Sequence, residues 1–252
     1  MKLSQDNQAH IEKSPQAVKT ISVVIPTLNE SSNISGALES LQEQEALLEI
    51  IVVDGGSTDG TPDIAECMGT TIIRGPRGRG LQIHEGVIRC RGDVVLILHA
   101  DCRIRPGVFQ RIVEQLNRNS RALGGALGMD YDSNTFRTRF LSWLNNVRAR
   151  FIGIAFGDQC QFFRRKSLNV LGGYPAQMLM EDIELSIRLR AAGTLCFLPR
   201  GVVVSQRRWE EKGFIRNFVR VVTLSLRYLI MRRFKRSESI AKDFYTRYYG
   251  SP

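Results

Sequence analysis

The stretch Val94-Val95-Leu96-Ile97-Leu98-His99-Ala100-Asp101 decides the fold that we predict for this chain. Five apolar residues in a row, three of them β-branched, are typical of a strand that is buried on both faces. Asp101 is therefore expected just beyond the carboxyl end of a buried strand, where open α/β sheets bind ligands. Hard cations such as Mg²⁺ or Mn²⁺ take oxygen ligands and share them with phosphates. The stretch predicts either a metal–diphosphate site at Asp101 or a carboxylate that caps the following helix.

Two similar strands come earlier in the chain, at residues 21–25 and 49–53, and helical patterns separate the strands. Strands that alternate with helices at this spacing predict a doubly wound, mostly parallel α/β sheet. The loop after the first strand carries Glu30, and the second strand ends in Asp54. Both carboxylates can accept hydrogen bonds from a base or a ribose. Asp54 can equally form an Asx turn with the glycines that follow it.

Two glycine-rich loops bear on phosphate binding. Residues 55–60 have the glycine spacing of a P-loop, but Thr61 stands where the phosphate-binding lysine should be, which excludes a P-loop ATPase. No G-x-G-x-x-G follows the first strand, so the dinucleotide-binding fingerprint is missing as well. The second loop, residues 74–80, sets arginines among glycines, and Arg77 and Arg79 can fork onto phosphate oxygens. A solvated basic loop is the alternative.

The composition of the 252 residues narrows the cellular context and the partner. The net charge of +10 fits an anionic partner: a nucleotide diphosphate, a membrane surface or a nucleic acid. Five scattered cysteines without a C-x-x-C pair argue for a reducing compartment and against a zinc site. Residues 1–19 lack the apolar core of a signal peptide, and we expect a disordered leader there. No apolar run is long enough to span a bilayer, so we expect a cytoplasmic protein.

Two helical patterns in the second half have alternative interpretations. Residues 134–151 have the spacing of a helix, and their apolar stripe predicts packing into the core. The stripe consists of Phe136, Phe140, Trp143, Leu144 and Val147. Glu181 and Asp182 open another helix, where the helix dipole alone explains an acidic pair. Two adjacent carboxylates also disfavour each other's ionised form, which suits a general base.

The last part of the chain, residues 209–252, is a basic extension with a helical pattern at 214–235. The apolar residues of this pattern share one face, and a basic cluster at 231–236 ends it. Such a helix suits the interface of a membrane. It suits equally well docking on the preceding domain or on a second copy in a homodimer. The sequence leaves these alternatives open.

The motifs ISVVIPTLNE, IIVVDGGSTDGT, the arginine loop and VLILHAD follow one another in this order. Together they resemble the nucleotide-binding half of the family 2 glycosyltransferases of the GT-A fold. The resemblance implies a nucleotide-diphospho-sugar donor and a divalent ion, Mn²⁺ or Mg²⁺, held on its diphosphate by Asp101. The residues that it implies in binding the nucleotide sugar are Pro26, Thr27, Glu30, Asp54, Arg77, Arg79, His99 and Asp101.

Two positions depart from the pattern of this family. Leu28 replaces a frequent tyrosine, and His99 replaces the first aspartate of the Asp-x-Asp motif. An imidazole at this place can hydrogen-bond a ribose, ligate the metal or serve only the structure. The role of His99 is therefore open at this point.

The resemblance continues into the second half through three shorter motifs. A Gly-Asp-Gln ahead of a strand implies a place beside the acceptor. The Glu-Asp pair implies that Asp182, with Glu181 second, takes the proton of the acceptor hydroxyl. Residues 206–209 resemble a compressed Gln-x-x-Arg-Trp element, which can neutralise the leaving diphosphate and stack on a sugar, or simply cap the sheet. The residues implied on the acceptor side are Asp158, Gln159, Arg208 and Trp209.

We therefore predict one GT-A-like α/β domain over residues 20–208, with a mixed, mostly parallel sheet flanked by helices and a helical C-terminal extension. The predicted reaction is metal-assisted, inverting transfer of a sugar to an acceptor hydroxyl. The basic C-terminal helix points to a lipid-linked acceptor and to peripheral contact with the inner face of a membrane. The alternatives are a nucleotidyltransferase acting on a sugar phosphate and a catalytically weak nucleotide-binding relative. The chain shows no nucleic-acid motif, and we expect no nucleic-acid partner.

Overall fold

The computed structural model describes residues 17–207 and 213–232, which form one sheet flanked by helices. The strands are β1 (Ile21–Thr27), β2 (Leu47–Asp54), β3 (Thr71–Arg74), β4 (Val94–Ile97), β5 (Cys102–Ile104), β6 (Ala122–Tyr131), β7 (Phe162–Arg164) and β8 (Thr194–Val204). The helices are α1 (Ile34–Glu39), α2 (Thr61–Cys67), α3 (Arg79–Val87), α4 (Val108–Arg118), α5 (Phe136–Val147), α6 (Ser167–Leu171), α7 (Glu181–Ala192) and α8 (Phe214–Met231). A π-helical turn (Arg148–Ile152) and a 3₁₀ turn (Gly157–Gln159) lie between α5 and β7.

The strands lie in the order β3-β2-β1-β4-β7-β6-β8-β5. β1 is parallel to β2 and β4, and β2 is parallel to β3. β7 is antiparallel to β4 and β6, β8 is parallel to β6, and β5 is antiparallel to β8. The predicted mixed, mostly parallel sheet is confirmed. Because β1, β2 and β4 run in the same direction, the loops that carry Glu30, Asp54 and Asp101 leave the sheet at one edge.

β1 and β4 are buried over their whole length. The pleat sends alternate side chains to opposite faces of the sheet. Val23 and Leu96 accordingly join one hydrophobic cluster, and Val24 and Val95 join the other. The strand that leads to Asp101 is thus anchored from both sides and gives the following loop a rigid base.

Two glycines of β6 allow the neighbouring strands to approach its backbone closely. A Cβ atom on Gly124 would lie 2.3 Å from the carbonyl oxygen of Phe162, and one on Gly125 would lie 2.1 Å from that of Cys196. Both distances are far below van der Waals contact. The two neighbouring strands can therefore pair with β6 only because these residues have no side chain.

The region around β5 and β8 differs from the prediction. The sequence indicates a turn after Asp101 and two separate strands at 194–198 and 202–205, whereas the structure has β5 and one continuous β8. A register shift in the β6–β8 pairing and a positive φ of 52° at Arg200 bend β8 without breaking it. In the sequence, an irregular strand of this kind has the same pattern as two strands joined by a turn, which explains the difference.

The residues just before β1 are bonded to α4. Val18 is buried, and its backbone N–H donates to Oδ1 of Asn117 at 2.8 Å. Asn117 returns a hydrogen bond from Nδ2 to the carbonyl oxygen of Val18 at 2.9 Å. The segment before β1 is therefore tied to α4, and the part of the predicted leader before residue 17 lies outside the described residues.

The prediction that the aromatic stripe of α5 packs into the core was wrong. Phe136, Phe140 and Trp143 are 85%, 46% and 59% exposed. The opposite side of the helix faces the sheet instead, through the buried residues Thr138, Leu141 and Ser142. The sequence shows that the helix has an apolar stripe, but it does not show whether another element covers that stripe.

The C-terminal helix α8 docks on α7 and on the segment before it. Leu224 and Tyr228 form a hydrophobic cluster with Leu179 and Ile183. The Tyr228 hydroxyl donates to Oε2 of Glu184 at 2.9 Å. Burial raises the pKa of Glu184, but the hydrogen bonds from Arg232, Arg188 and Tyr228 outweigh it and lower the pKa to about 2. Docking on the preceding domain is thus present in the structure.

The apolar face that the sequence predicts for α8 is covered only in part, because Phe218 and Leu229 pack against hydrophobic clusters of the domain. Four apolar side chains of the predicted face point away from the domain and are exposed. These are Val219, Val222, Leu226 and Ile230. Among the described residues, no helix combines the length and the apolar character needed to cross a bilayer.

Candidate active site

The ends of β1 and β2 place the predicted nucleoside-binding residues side by side. Pro26 and Thr27 are buried at the end of β1, and Thr27 is in register with Asp54 of β2. The Asp54 carboxylate accepts hydrogen bonds from the N–H groups of Gly56 and Ser57, both at 2.9 Å. Asp54 therefore forms the Asx turn that the sequence left as an alternative. It shapes the loop at the sheet edge.

Glu30 lies at the start of α1, near the end of β8. Its Oε2 accepts from Nδ2 of Asn33 at 2.7 Å and from Nη2 of Arg207 at 3.5 Å. Arg207, which follows β8, therefore contacts the loop after β1. The neighbouring Arg208 and Trp209, which the sequence places on the acceptor side, lie outside the described residues.

The loop after β4 brings His99 and Asp101 together with Asp158. His99 and Asp101 are only 4% and 8% exposed. The distance between Nδ1 of His99 and Oδ1 of Asp158 is 3.2 Å. One ligand atom from each of the three residues lies within 4.8 Å of the other two. Two ligands on opposite sides of Mg²⁺ are about 4.2 Å apart, so a small side-chain adjustment would let all three reach one ion.

The two nitrogens of the His99 imidazole differ in their hydrogen bonding. Its Nε2 is buried and has no hydrogen-bond partner among the residues that the structure describes. A buried polar atom without a partner is costly, and such atoms in folded proteins commonly serve a ligand or an ion. The two carboxylates suit Mn²⁺ and Mg²⁺ alike, and the histidine nitrogen favours the transition metal Mn²⁺. The residues present therefore fit a divalent ion.

The acidic pair at the start of α7 faces Arg79 at the start of α3. The Arg79 guanidinium donates from Nε to Glu181, and its Nη2 lies 3.5 Å from Oδ2 of Asp182. Glu181 is only 1% exposed, and burial raises its pKa, although Arg79 partly offsets this effect. Arg79 therefore binds the acidic pair, while Arg77 is exposed on the preceding loop.

Gly157 links the acidic pair to the histidine–aspartate group. Its backbone N–H donates to Oδ2 of Asp182 at 2.8 Å. A Cβ atom at this position would lie 2.2 Å from Cε1 of His99. The residue that follows is Asp158, so three polypeptide segments meet at this glycine. Asp101, Asp158 and Asp182 accordingly belong to one connected site.

Gly157→Ala is expected to disrupt this site. The added methyl group would displace the imidazole of His99 from Asp158, so we expect kcat/KM to fall at least tenfold and stability to fall by about 1–3 kcal/mol. Steady-state kinetics and thermal melting measure the two effects. Gly69→Ala is the control: it adds the same methyl group where no neighbouring atom lies within 4 Å, so its positive φ of 77° should lower stability while kcat/KM stays unchanged. Equal activity of the Gly157 variant and the wild type would contradict the linking role.

Gln159 does not point toward a substrate in this structure. It is fully buried, its Oε1 accepts from Nη2 of Arg148 at 2.9 Å, and its Nε2 donates to the carbonyl oxygen of Asn145 at 3.3 Å. Its contacts therefore tie the 3₁₀ turn to the end of α5. Sequence reasoning missed Arg148, whose guanidinium also lies 3.4 Å from the ring centre of Phe156. No local motif marks such a contact.

Most of this chain matches a known protein family. The profile described as Glycosyl transferase family 2 matches residues 22–172, which is more than half of the chain. The chain belongs to this family. The predicted membership is thus confirmed, and the family 2 chain described here is a glycosyltransferase. The matched residues run from β1 to the end of α6, and the acidic pair of α7 lies beyond them.

Two curated relatives illustrate the range of family 2 proteins that this chain resembles. An uncharacterized glycosyltransferase of Mycobacterium tuberculosis is 28% identical over 185 residues, which cover 69% of this chain and 80% of the relative. An undecaprenyl-phosphate 4-deoxy-4-formamido-L-arabinose transferase of Pseudomonas fluorescens is 29% identical over 159 residues, which cover 57% of this chain and 46% of the relative. The chain thus spans less than half the length of the second relative.

Solved structures confirm the GT-A fold of this family 2 chain. A mannosyltransferase from Pyrobaculum calidifontis, in complex with GDP-Man and Mn²⁺, superposes with a TM-score of 0.65 and 19% identity over 92% of this chain and 71% of the other. S. aureus TarS superposes with a TM-score of 0.60 and 18% identity over 74% of this chain and 36% of TarS. At these identities the likeness shows the fold alone.

Proposed function

We propose that this glycosyltransferase moves a sugar from a nucleotide-diphosphate donor to an acceptor hydroxyl, with inversion at the anomeric carbon. The observation that carries the proposal is the junction at Gly157. It connects the acidic pair of α7 to the group of His99, Asp101 and Asp158. A proton acceptor and a place for a charged leaving group therefore belong to one site, as direct displacement requires.

In this proposal Asp101, His99 and Asp158 would hold Mn²⁺ or Mg²⁺. When bound, the ion supplies positive charge for the diphosphate leaving group. The unpartnered Nε2 of His99 supports its place in the set. The mannosyltransferase of the same fold is in complex with GDP-Man and Mn²⁺. We assign Asp158, which the sequence placed on the acceptor side, to the metal-binding group.

The nucleoside would lie at the ends of β1 and β2. Pro26 and Thr27 line this edge, Asp54 holds the glycine loop in shape, and Glu30 can accept hydrogen bonds from hydroxyl groups. Arg77 is exposed on the basic loop and is the arginine assigned to the diphosphate. Arg79 would act through the acidic pair that it contacts rather than through the donor.

We assign the role of general base to Asp182. Its carboxylate accepts from the N–H of Gly157 at 2.8 Å and from that of Ile183 at 2.7 Å, which fixes its orientation. It would take the proton of the acceptor hydroxyl. The acceptor oxygen then forms a bond to the anomeric carbon while the bond from that carbon to the diphosphate oxygen breaks, and the nucleoside diphosphate leaves. Glu181, held by Arg79, would keep the base in position.

The acceptor side is proposed to face a membrane. The name of one relative, a transferase, includes undecaprenyl phosphate, which is a phosphorylated lipid. The exposed apolar residues of α8 and the basic residues that follow suit contact with anionic lipids at the inner face of a membrane. We propose a lipid-linked acceptor, and a catalytic domain over residues 20–208 that meets the membrane peripherally.

A thermal-shift panel tests this function. UDP-, GDP-, CDP- and dTDP-sugars are added to the full chain with and without Mn²⁺, and the correct donor should raise the melting temperature by mass action. That donor should then release a nucleoside diphosphate. Release of pyrophosphate from a nucleoside triphosphate and a sugar phosphate would instead identify a nucleotidyltransferase, and the absence of any nucleotide-sugar effect would contradict the proposal.

A further inference from the structure

We propose that the exposed side of α5 is a membrane-docking surface for anionic lipids, distinct from α8. We call it the α5 aromatic face and define it by Phe136, Phe140 and Trp143. The inference deepens the proposed lipid-linked acceptor and rests on that proposal for its meaning in catalysis. The binding itself can be measured without turnover.

The three aromatic side chains form one continuous stripe. They stand at positions i, i+4 and i+7 of the helix, so they share one side of it. The rings of Phe140 and Trp143 lie 6.0 Å apart, centre to centre. At 85%, 46% and 59% exposure, the stripe leaves a large apolar area in water. A contiguous exposed apolar surface of this kind marks an interaction site in a soluble domain.

The rotation of α5 is fixed, so the stripe cannot turn inward. Asn146 pairs with the backbone of Met129 in β6: the Met129 N–H donates to Oδ1 at 2.9 Å, and Nδ2 donates to the Met129 carbonyl oxygen at 3.0 Å. Near the other end of the helix, Thr138 and Leu141 are buried. Both ends therefore hold the same side toward the sheet. The aromatic side faces away from the rest of the chain that the structure describes.

The charges around the stripe select an anionic partner. Arg137 and Arg139 are exposed and lie to either side of the stripe, and the guanidinium of Arg150 lies 5.5 Å from the ring centre of Phe151. Residues 136–152 contain four arginines and no acidic residue. Aromatic side chains flanked by arginines are the composition of a helix that lies in a lipid interface. Pairing of this face with a second copy would bring like charges together.

The segment that follows the α5 aromatic face contacts α8 and the candidate active site. Ile154 and Phe156, shortly after α5, pack against the cluster that contains Leu224 and Tyr228 of α8. Arg148 binds Gln159, which follows Asp158 directly. The segment that continues from the aromatic face therefore reaches both α8 and the residue next to Asp158. This continuity fits an acceptor that is presented from a lipid.

Vesicle binding tests the inference. The full chain is titrated with vesicles of equimolar phosphatidylcholine and phosphatidylglycerol, and with phosphatidylcholine alone. We expect binding to the anionic vesicles and at least a tenfold loss of affinity in the double variant Phe140→Ser, Trp143→Ser. The matched control is Ile88→Ser with Val170→Ser, which removes two side chains that are 59% and 61% exposed elsewhere on the surface. This control should bind like the wild type.

Several outcomes would overturn the inference. These are a wild type that binds no vesicles, or aromatic and control variants that lose the same affinity. A dimer in light scattering that only the aromatic variant loses would show that the face binds a second copy. An RNA gel shift that only this variant loses would show that the face binds a nucleic acid. Thermal melting verifies that the variants fold. The donor panel is run on the same variants, so failure of docking and failure of the proposed glycosyl transfer are read separately.

Discussion

Asp182→Asn is expected to lower kcat by a factor of about 10² to 10⁴, because a positioned general base contributes this much to a proton transfer. The amide keeps the size of the side chain and can keep one of the two hydrogen bonds from the backbone. Donor binding should therefore persist, with a thermal shift close to that of the wild type. Release of nucleoside diphosphate measures kcat, and the thermal shift measures binding.

The control for this variant is Asp63→Asn. Asp63 also lies in the first turn of a helix, α2, so both substitutions remove a carboxylate from a helix N-terminus. Asp63 is exposed and takes part in none of the site contacts described above, and its variant should retain full kcat. If Asp182→Asn kept its activity while Glu181→Gln lost it, the base would be Glu181. If both variants kept their activity, the proposed mechanism would be wrong.

Asp101→Asn is expected to abolish the part of donor binding and of activity that depends on a divalent ion. A neutral amide is a poor ligand for Mg²⁺ or Mn²⁺, and the charge on the leaving group would then lose several kcal/mol of stabilisation. We expect kcat/KM to fall by about 10³ or more. Mn²⁺ titration, followed by donor-induced thermal shift and by turnover, measures the loss.

Asp132→Asn is the matched control for Asp101→Asn. Both carboxylates line the same cleft, but Asp132 is not part of the group of possible ligands. Its variant should respond to Mn²⁺ like the wild type. Equal losses in both variants would mean that the negative charge of the cleft matters and that coordination by Asp101 does not. Asp158→Asn should also weaken the response to Mn²⁺, since it removes the other carboxylate of the proposed ligand group.

The sequence alone predicted the parallel centre of the sheet. The β-branched runs of β1, β2 and β4 are long and uniformly apolar, so only a doubly covered strand fits them. Each of these strands is followed by an acidic residue, Glu30, Asp54 or Asp101. Parallel strands end at the same edge of a sheet, so the sequence places these residues at one edge, and the topology agrees. These features depend on neighbours in the chain, which a sequence displays directly.

Other features depended on contacts between distant residues. The His99–Asp158 contact joins residues 59 positions apart, and the Gly157–Asp182 hydrogen bond joins residues 25 positions apart. The sequence named both aspartates but assigned them separate roles, because spacing along the chain does not show which loops converge. These loops can converge only because some positions, such as the crowded Gly157, lack a side chain. Such positions can be recognised only when the neighbouring atoms are known.

The amino-acid sequence by itself thus determined the fold family, the parallel direction of the central strands and the chemical types available at the edge of the sheet. Only the tertiary structure decided which side of a helix is covered. It exposed the aromatic stripe of α5, and it docked α8 through Leu224 and Tyr228 rather than through Val222 and Leu226. The physical reason is that periodicity reports an apolar face, whereas burial depends on the surface that another part of the chain brings against it.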